Sequence, residues 1–135
     1  MLKTRELFDS LTAKPTLSSD NLAAAVDALQ DCVEAVTACS AAMLTEDDLQ
    51  SLASAVSRDM DCADVVTATR NVLTRASGVD TSLLSAQLEA CLVACERSHD
   101  LCSKHAERHK HCRMCADATR HCADMCRQAL NSLHR

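Results

Sequence analysis

Apolar residues recur along this chain at alternating steps of four and three. Ala25, Leu29, Cys32, Val36, Cys39 and Met43 form one such stripe, and Leu52, Ala55, Asp59, Cys62, Val66, Thr69 and Leu73 form a second. A third runs through Leu84, Leu88, Cys91, Cys95, Ser98, Cys102, His105 and His109. A fourth holds Cys112, Cys115, Thr119, Cys122, Cys126, Ala129 and Leu133. This spacing keeps side chains on one face of an α-helix and marks the seam of a helical bundle. The stripes predict four long helices, over about 20–43, 46–76, 82–108 and 112–133. A shorter amphipathic segment, about 3–14, precedes them, with Leu2, Leu7, Phe8 and Leu11 on one face and Pro15 as its stop.

Local signals support these boundaries. Ser18 or Ser19 suits the N-cap of the first long helix. Thr45 followed by Glu46, Asp47 and Asp48 reads as a helix start with acids at the positive dipole end. Gly78 ends that helix, and Asp80 or Thr81 caps the next. No Gly or Pro marks the break among His109, Lys110 and His111. One glycine and one proline in 135 residues leave too few turn residues for strands and hairpins. The expected fold is therefore all-α. It is a single domain over residues 1–135, an antiparallel up-down-up-down four-helix bundle with a short extra N-terminal helix.

All ten cysteines fall on the inward stripes. Cysteine is a small hydrophobe, and two or three in a helical core need no explanation. Ten cost the core much apolar area relative to leucine, at about 25 cal/mol per Å². Metal–thiolate bonds can offset that loss. Antiparallel packing places Cys39, Met43, Cys102, His105, His109, His111, Cys112, Met114 and Cys115 at one end. Cys32, Cys62, Cys95 and Cys122 fall in the middle, with Cys91 and Cys126 beyond. Leu22, Leu29, Leu73, Leu83, Leu84, Leu88, Leu130 and Leu133 close the other end. The core is expected to be a thiol-lined tube with a histidine- and methionine-ringed mouth.

The first residues lack an apolar signal core, and no stretch approaches the ~20 apolar residues of a membrane span. That predicts a cytoplasmic protein with reduced thiols. Two Cx9C spacings, through Cys102, Cys112 and Cys122, suggest a disulfide hairpin, but the first pair straddles the helix break. Thiolates select Cu(I), zinc or iron–sulfur clusters. Zinc sites favour paired CxxC, and this chain has one, Cys112 to Cys115. The dominant CxxxC and Cx6C spacings spread sulfur along an axis, which suits bridged, low-coordinate Cu(I).

The net charge is −5, yet residues 96–135 carry more bases than acids and all six histidines. Without interleaved aromatics this is not a nucleic-acid surface. His105, His109 and His111 are candidate ligands or gate groups at the mouth, and Met43 is a candidate thioether ligand. His99, His121 and His134 fall off the stripe and read as solvated or snorkelling, and Met60, Met114 and Met125 read as packing residues at interfaces. No Ser-His-Asp set, paired-carboxylate cleft or double Glu-x-x-His motif points to an enzyme.

The stretch HKHCRMCADATRHCADMC, residues 109–126, resembles the last helix of the cysteine-rich four-helix-bundle family that includes the bacterial copper storage proteins, cytosolic branch. The resemblance implies a homotetramer of bundles, each holding Cu(I) along its core, with His and Met where copper enters. Carried over, the metal ligands are Cys32, Cys39, Cys62, Cys91, Cys95, Cys102, Cys112, Cys115, Cys122 and Cys126. Ser98, Thr119, Val36 and Val66 stand inward where cytosolic relatives carry further thiols. About ten Cu(I) per chain are expected if each bridging thiolate accounts for one ion. A cytosolic copper chaperone is the expected exchange partner. The competing readings are a thiol-redox or metal-sensing bundle that holds few ions (Zn or Cu), and a plain helical scaffold.

Overall fold

The computed structural model describes residues 3–11, 17–75 and 80–134. Helix α1 spans Thr4–Asp9, α2 Ser19–Met43, α3 Leu49–Thr74, α4 Thr81–Lys104 and α5 Lys110–Leu133. The four long helices form an antiparallel ring in which α2 borders α3 and α5, and α4 borders the same two. No diagonal backbone contact joins α2 to α4 or α3 to α5 among the described residues. The axis is therefore filled by side chains alone. Helix α1 lies against α2 and inserts Phe8 as a buried plug.

Side-chain caps start two of the helices. Ser18 accepts a hydrogen bond from the Asn21 backbone N–H at 3.2 Å. Asp80 accepts from Ser82 and Leu83 at 2.9 and 3.3 Å. Each satisfies donors that the first helical turn leaves unpaired. The short helix ends at Asp9, with Ser10 as its C-cap and Leu11 outside it, rather than running on from residue 9. Its expected residues 12–14, the stops at Pro15 and Gly78, and the apolar face position Leu2 lie outside the described residues.

The other two starts differ from the sequence expectation. Helix α3 begins at Leu49 rather than near 46, and Asp48 occupies the N-cap without a side-chain cap bond. Helix α4 ends at Lys104 rather than 108, and α5 begins at Lys110 rather than 112. Residues 105–109 turn through bonds from the Arg108 and His109 N–H groups to the His105 carbonyl, at 3.2 and 3.0 Å. The reason is tertiary: the acids of the α2–α3 turn face the histidines of the α4–α5 turn.

Every stripe position from Ala25 to Cys102 named above is buried, as are Cys112 through Ala129 on the last stripe. Leu22, Leu29, Leu73, Leu84 and Leu88 close one end of the ring, each worth about 1.5–3 kcal/mol of apolar burial. Leu83 is not part of this closure. It is 55% exposed, one residue off the stripe that Leu84 occupies. Met60 and Met114 lie on the surface of the single chain, 56% and 58% exposed.

The inward hydroxyls are satisfied locally. Thr119 donates to the Cys115 carbonyl at 2.9 Å, and Thr69 donates to the Val65 carbonyl at 2.7 Å. Thr69 also accepts from the Gln87 amide at 2.8 Å. Among the described residues no buried side-chain nitrogen or oxygen lacks a partner.

Candidate metal centre

All ten cysteines are free, and all are buried. Because α2 and α4 run against α3 and α5, their stripes stack sulfur into successive levels along the axis. Cys39, Cys112 and His111 form the level nearest the α4–α5 turn. Cys39, Asp59, Cys102 and Cys115 form the next. Cys32, Cys95 and Cys122 follow, with Cys62 Sγ 4.0 Å from Cys95 Sγ. Cys91, Cys122 and Cys126 make the deepest level, towards the leucine closure. Within each group the ligand atoms lie within 4.8 Å of one another. Cys39 and Cys122 each belong to two groups.

Asp59 sits among these thiols with no exposed surface. Ser98 Oγ donates to Asp59 Oδ1 at 2.6 Å, and Cys102 Sγ lies 3.3 Å from the same oxygen. Cys115 Sγ is 3.6 Å from both carboxylate oxygens. Burial raises the Asp59 pKa to about 7, and negative charge on Cys102 adds to the rise. Sequence reading placed Asp59 on the stripe without giving it a role. A carboxylate on an otherwise apolar and thiol stripe was the signal that could have singled it out.

The thiols share their protons unevenly. Cys102, 3.4 Å from Cys115, is drawn down to about 3 by hydrogen bonds with Cys115 and Cys39. Cys91 and Cys32 are drawn down too, chiefly by bonding with Cys122. Their partners Cys115 and Cys122 are pushed up. The three cysteine levels below the mouth thus each hold one thiol drawn toward thiolate, the form that binds metal, whereas Cys39 at the mouth is pushed up. Burial pushes Cys112 up to about 11.

The mouth is an acid–imidazole network. His111 Nδ1 lies 3.3 Å from Cys39 Sγ and 3.6 Å from Cys112 Sγ. Its Nε2 is 3.0 Å from Glu46 Oε1. His109 Nε2 is 3.0 and 3.1 Å from the Asp48 oxygens, and Arg108 reaches Asp48 at 3.2 Å. The bond with His109 holds the Asp48 carboxyl below its usual range. The two imidazoles stack with centroids 5.2 Å apart.

Other sequence candidates fall elsewhere. Met43 is fully buried on the Cys39 stripe, one turn further along α2. His105 caps the end of α4, half-buried, and joins none of the ligand groups. His99, expected to be solvated or snorkelling, is half-buried and reaches the Ala116 carbonyl through Nδ1 at 2.8 Å, which ties α4 to α5. Among the described residues no helix is long and apolar enough to cross a membrane.

Soft sulfur donors stacked in levels that share atoms define a helical bundle built for thiophilic metal. Residues 18–131 match the family described as copper storage protein, and the chain belongs to that family. It is similar to the copper storage protein Ccsp from Streptomyces lividans loaded with 10 copper equivalents, at 36% identity and a TM-score of 0.91. That match covers 96% of this chain and 98% of the other. A second structure, described as a cytosolic copper storage protein from Streptomyces lividans with five coppers, is 40% identical with a TM-score of 0.81. It covers 83% of this chain and 93% of the other. No curated protein matches.

Proposed function

We propose that this chain stores Cu(I) in the cytoplasm, as a single four-helix-bundle domain that holds about ten cuprous ions by core thiolates. The observation that carries the reading is shared sulfur. Cys39 joins the two levels nearest the mouth and Cys122 joins the two deeper ones, so bridging thiolates can link the four levels in pairs into a cluster column of two halves. The ten cysteines are the main ligands, His111 serves at the mouth, and Met43, His105 and His109 guide ions toward it. The similar Ccsp structures loaded with five and ten coppers support the scale of the load.

Storage needs no turnover, and the chain acts without catalysis. A buried cluster column favours retention over open-site chemistry, in which a metal keeps a free position for substrate. Copper would pass to and from a cytosolic copper chaperone, and the bundles would assemble as a homotetramer. Neither a nucleic acid nor a membrane is a partner in this reading.

X-ray absorption at the copper edge of the loaded protein tests the column. Bridged clusters give a sulfur-dominated first shell and a short copper–copper vector. A first shell of isolated two-coordinate ions, with no copper–copper vector, would exclude it. A second reading has one observation behind it: Cys39, Asp59, Cys102 and Cys115 form a four-donor S3O set of the kind that suits a single zinc ion. It predicts one tightly held zinc and little further capacity.

A further inference from the structure

We propose that Glu46 is a positioning residue for copper capture, which fixes the proton of His111 on Nε2 and turns its bare Nδ1 toward Cys39 and Cys112. A neutral imidazole carries one N–H donor and one lone pair, and its neighbours decide which nitrogen is which. His111 has different neighbours on its two sides. Nε2 faces Glu46 Oε1 at 3.0 Å, and Nδ1 faces Cys39 and Cys112 sulfur at 3.3 and 3.6 Å. An ionised carboxylate only accepts hydrogen bonds. With the proton on Nδ1, two lone pairs would oppose each other across the 3.0 Å contact, and the Nδ1–H would block the side that faces the thiols. With the proton on Nε2 the carboxylate bond is made, and Nδ1 completes an NS2 set with Cys39 and Cys112. A carboxylate behind a ligating histidine orients the ring and raises its basicity.

The turn carrying Glu46 is built around this task. Asp48, at the N-cap of α3, makes no side-chain cap bond and instead holds His109 Nε2, braced by Arg108. Glu46 Oε1 also lies 3.6 Å from His109 Nδ1, so one carboxylate sits between the two stacked rings. Two acids of the α2–α3 turn thus clamp two histidines of the α4–α5 turn. The link to copper rests on the storage reading, whereas the tautomer assignment does not.

The test uses the full-length reduced protein, with Glu46→Gln and Glu46→Ala, each in the native and the His111→Ala background. Imidazole nitrogen–proton correlation spectra of the copper-free protein report the tautomer. Chelator competition reports the affinity of the first Cu(I), and thermal melts check the fold. His111 is expected to carry its proton on Nε2 in the native chain and to lose that preference in Glu46→Ala. The first Cu(I) should bind about tenfold more weakly in Glu46→Ala, with Glu46→Gln between, since its amide oxygen still accepts. In the His111→Ala background Glu46→Ala should change nothing further. An unchanged tautomer in Glu46→Ala would overturn the proposal. So would an equal affinity loss with and without His111, which would make Glu46 a structural residue only. Should the native chain saturate at a few ions, the storage reading fails while the tautomer result stands.

Discussion

Ser98 Oγ donates to Asp59 Oδ1 across 2.6 Å at the centre of a ring of thiols. It is the shortest polar link between α3 and α4 at this level, and it holds a carboxyl that water cannot reach. Removing the hydroxyl strips a partner from a buried acid, a loss of about 1–3 kcal/mol. Ser98→Ala should therefore lower the denaturant midpoint of the copper-free protein without altering the slope.

Asp59 makes stability depend on pH. Its pKa rises from the ordinary 3.8 to about 7 on folding, so the folded chain binds the proton more tightly than the unfolded one. Stability from this group is present below about pH 4 and falls as pH rises toward 7, by up to roughly 4 kcal/mol. The drawn-down Cys102 pulls stability the opposite way over the same range, so in thermal melts of the reduced, copper-free protein this decline shows as the difference from Asp59→Asn. Asp59→Asn should flatten it and leave the variant more stable than the native chain at pH 8. An equal decline in both would assign the effect to another group.

Shared sulfurs should cost more copper than unshared ones. Cys122 belongs to two ligand groups, whereas Cys62 belongs to none and borders Cys95 and Cys32. Cys122→Ser is expected to lose more than one Cu(I), and Cys62→Ser about one or fewer. Metal analysis after anaerobic loading and desalting decides between them.

The leucine closure should be separable from the metal core. Leu88 is fully buried near the α4 end opposite the mouth. Leu88→Ala should destabilise the copper-free bundle by about 2–5 kcal/mol. Its copper capacity should match that of the native chain.

The helical stripes were legible because burial on a helix has a fixed period, and every cysteine obeyed it. Their stacking into levels followed from antiparallel order alone. The mouth was only half legible. His109 and His111 stood out by type and place, but Glu46 and Asp48 read as dipole-complementing acids. Their partners lie more than sixty residues away in sequence, so no local rule could join them. Leu83 was misplaced because neighbouring leucines look alike to a pattern, while a turn of one residue, about 100°, carries it to the surface. Asp59 lay in plain sight on its stripe, where a buried acid calls for partners that a sequence does not display.

Anaerobic titration of the fully reduced chain with Cu(I), against a chromophoric Cu(I) chelator, tests the storage reading most directly. With no Trp or Tyr present, thiolate-to-copper absorption is unobscured in the ultraviolet. The cluster column predicts about ten tightly held ions per chain, filled before the chelator takes up copper. Saturation at one to four ions would contradict it.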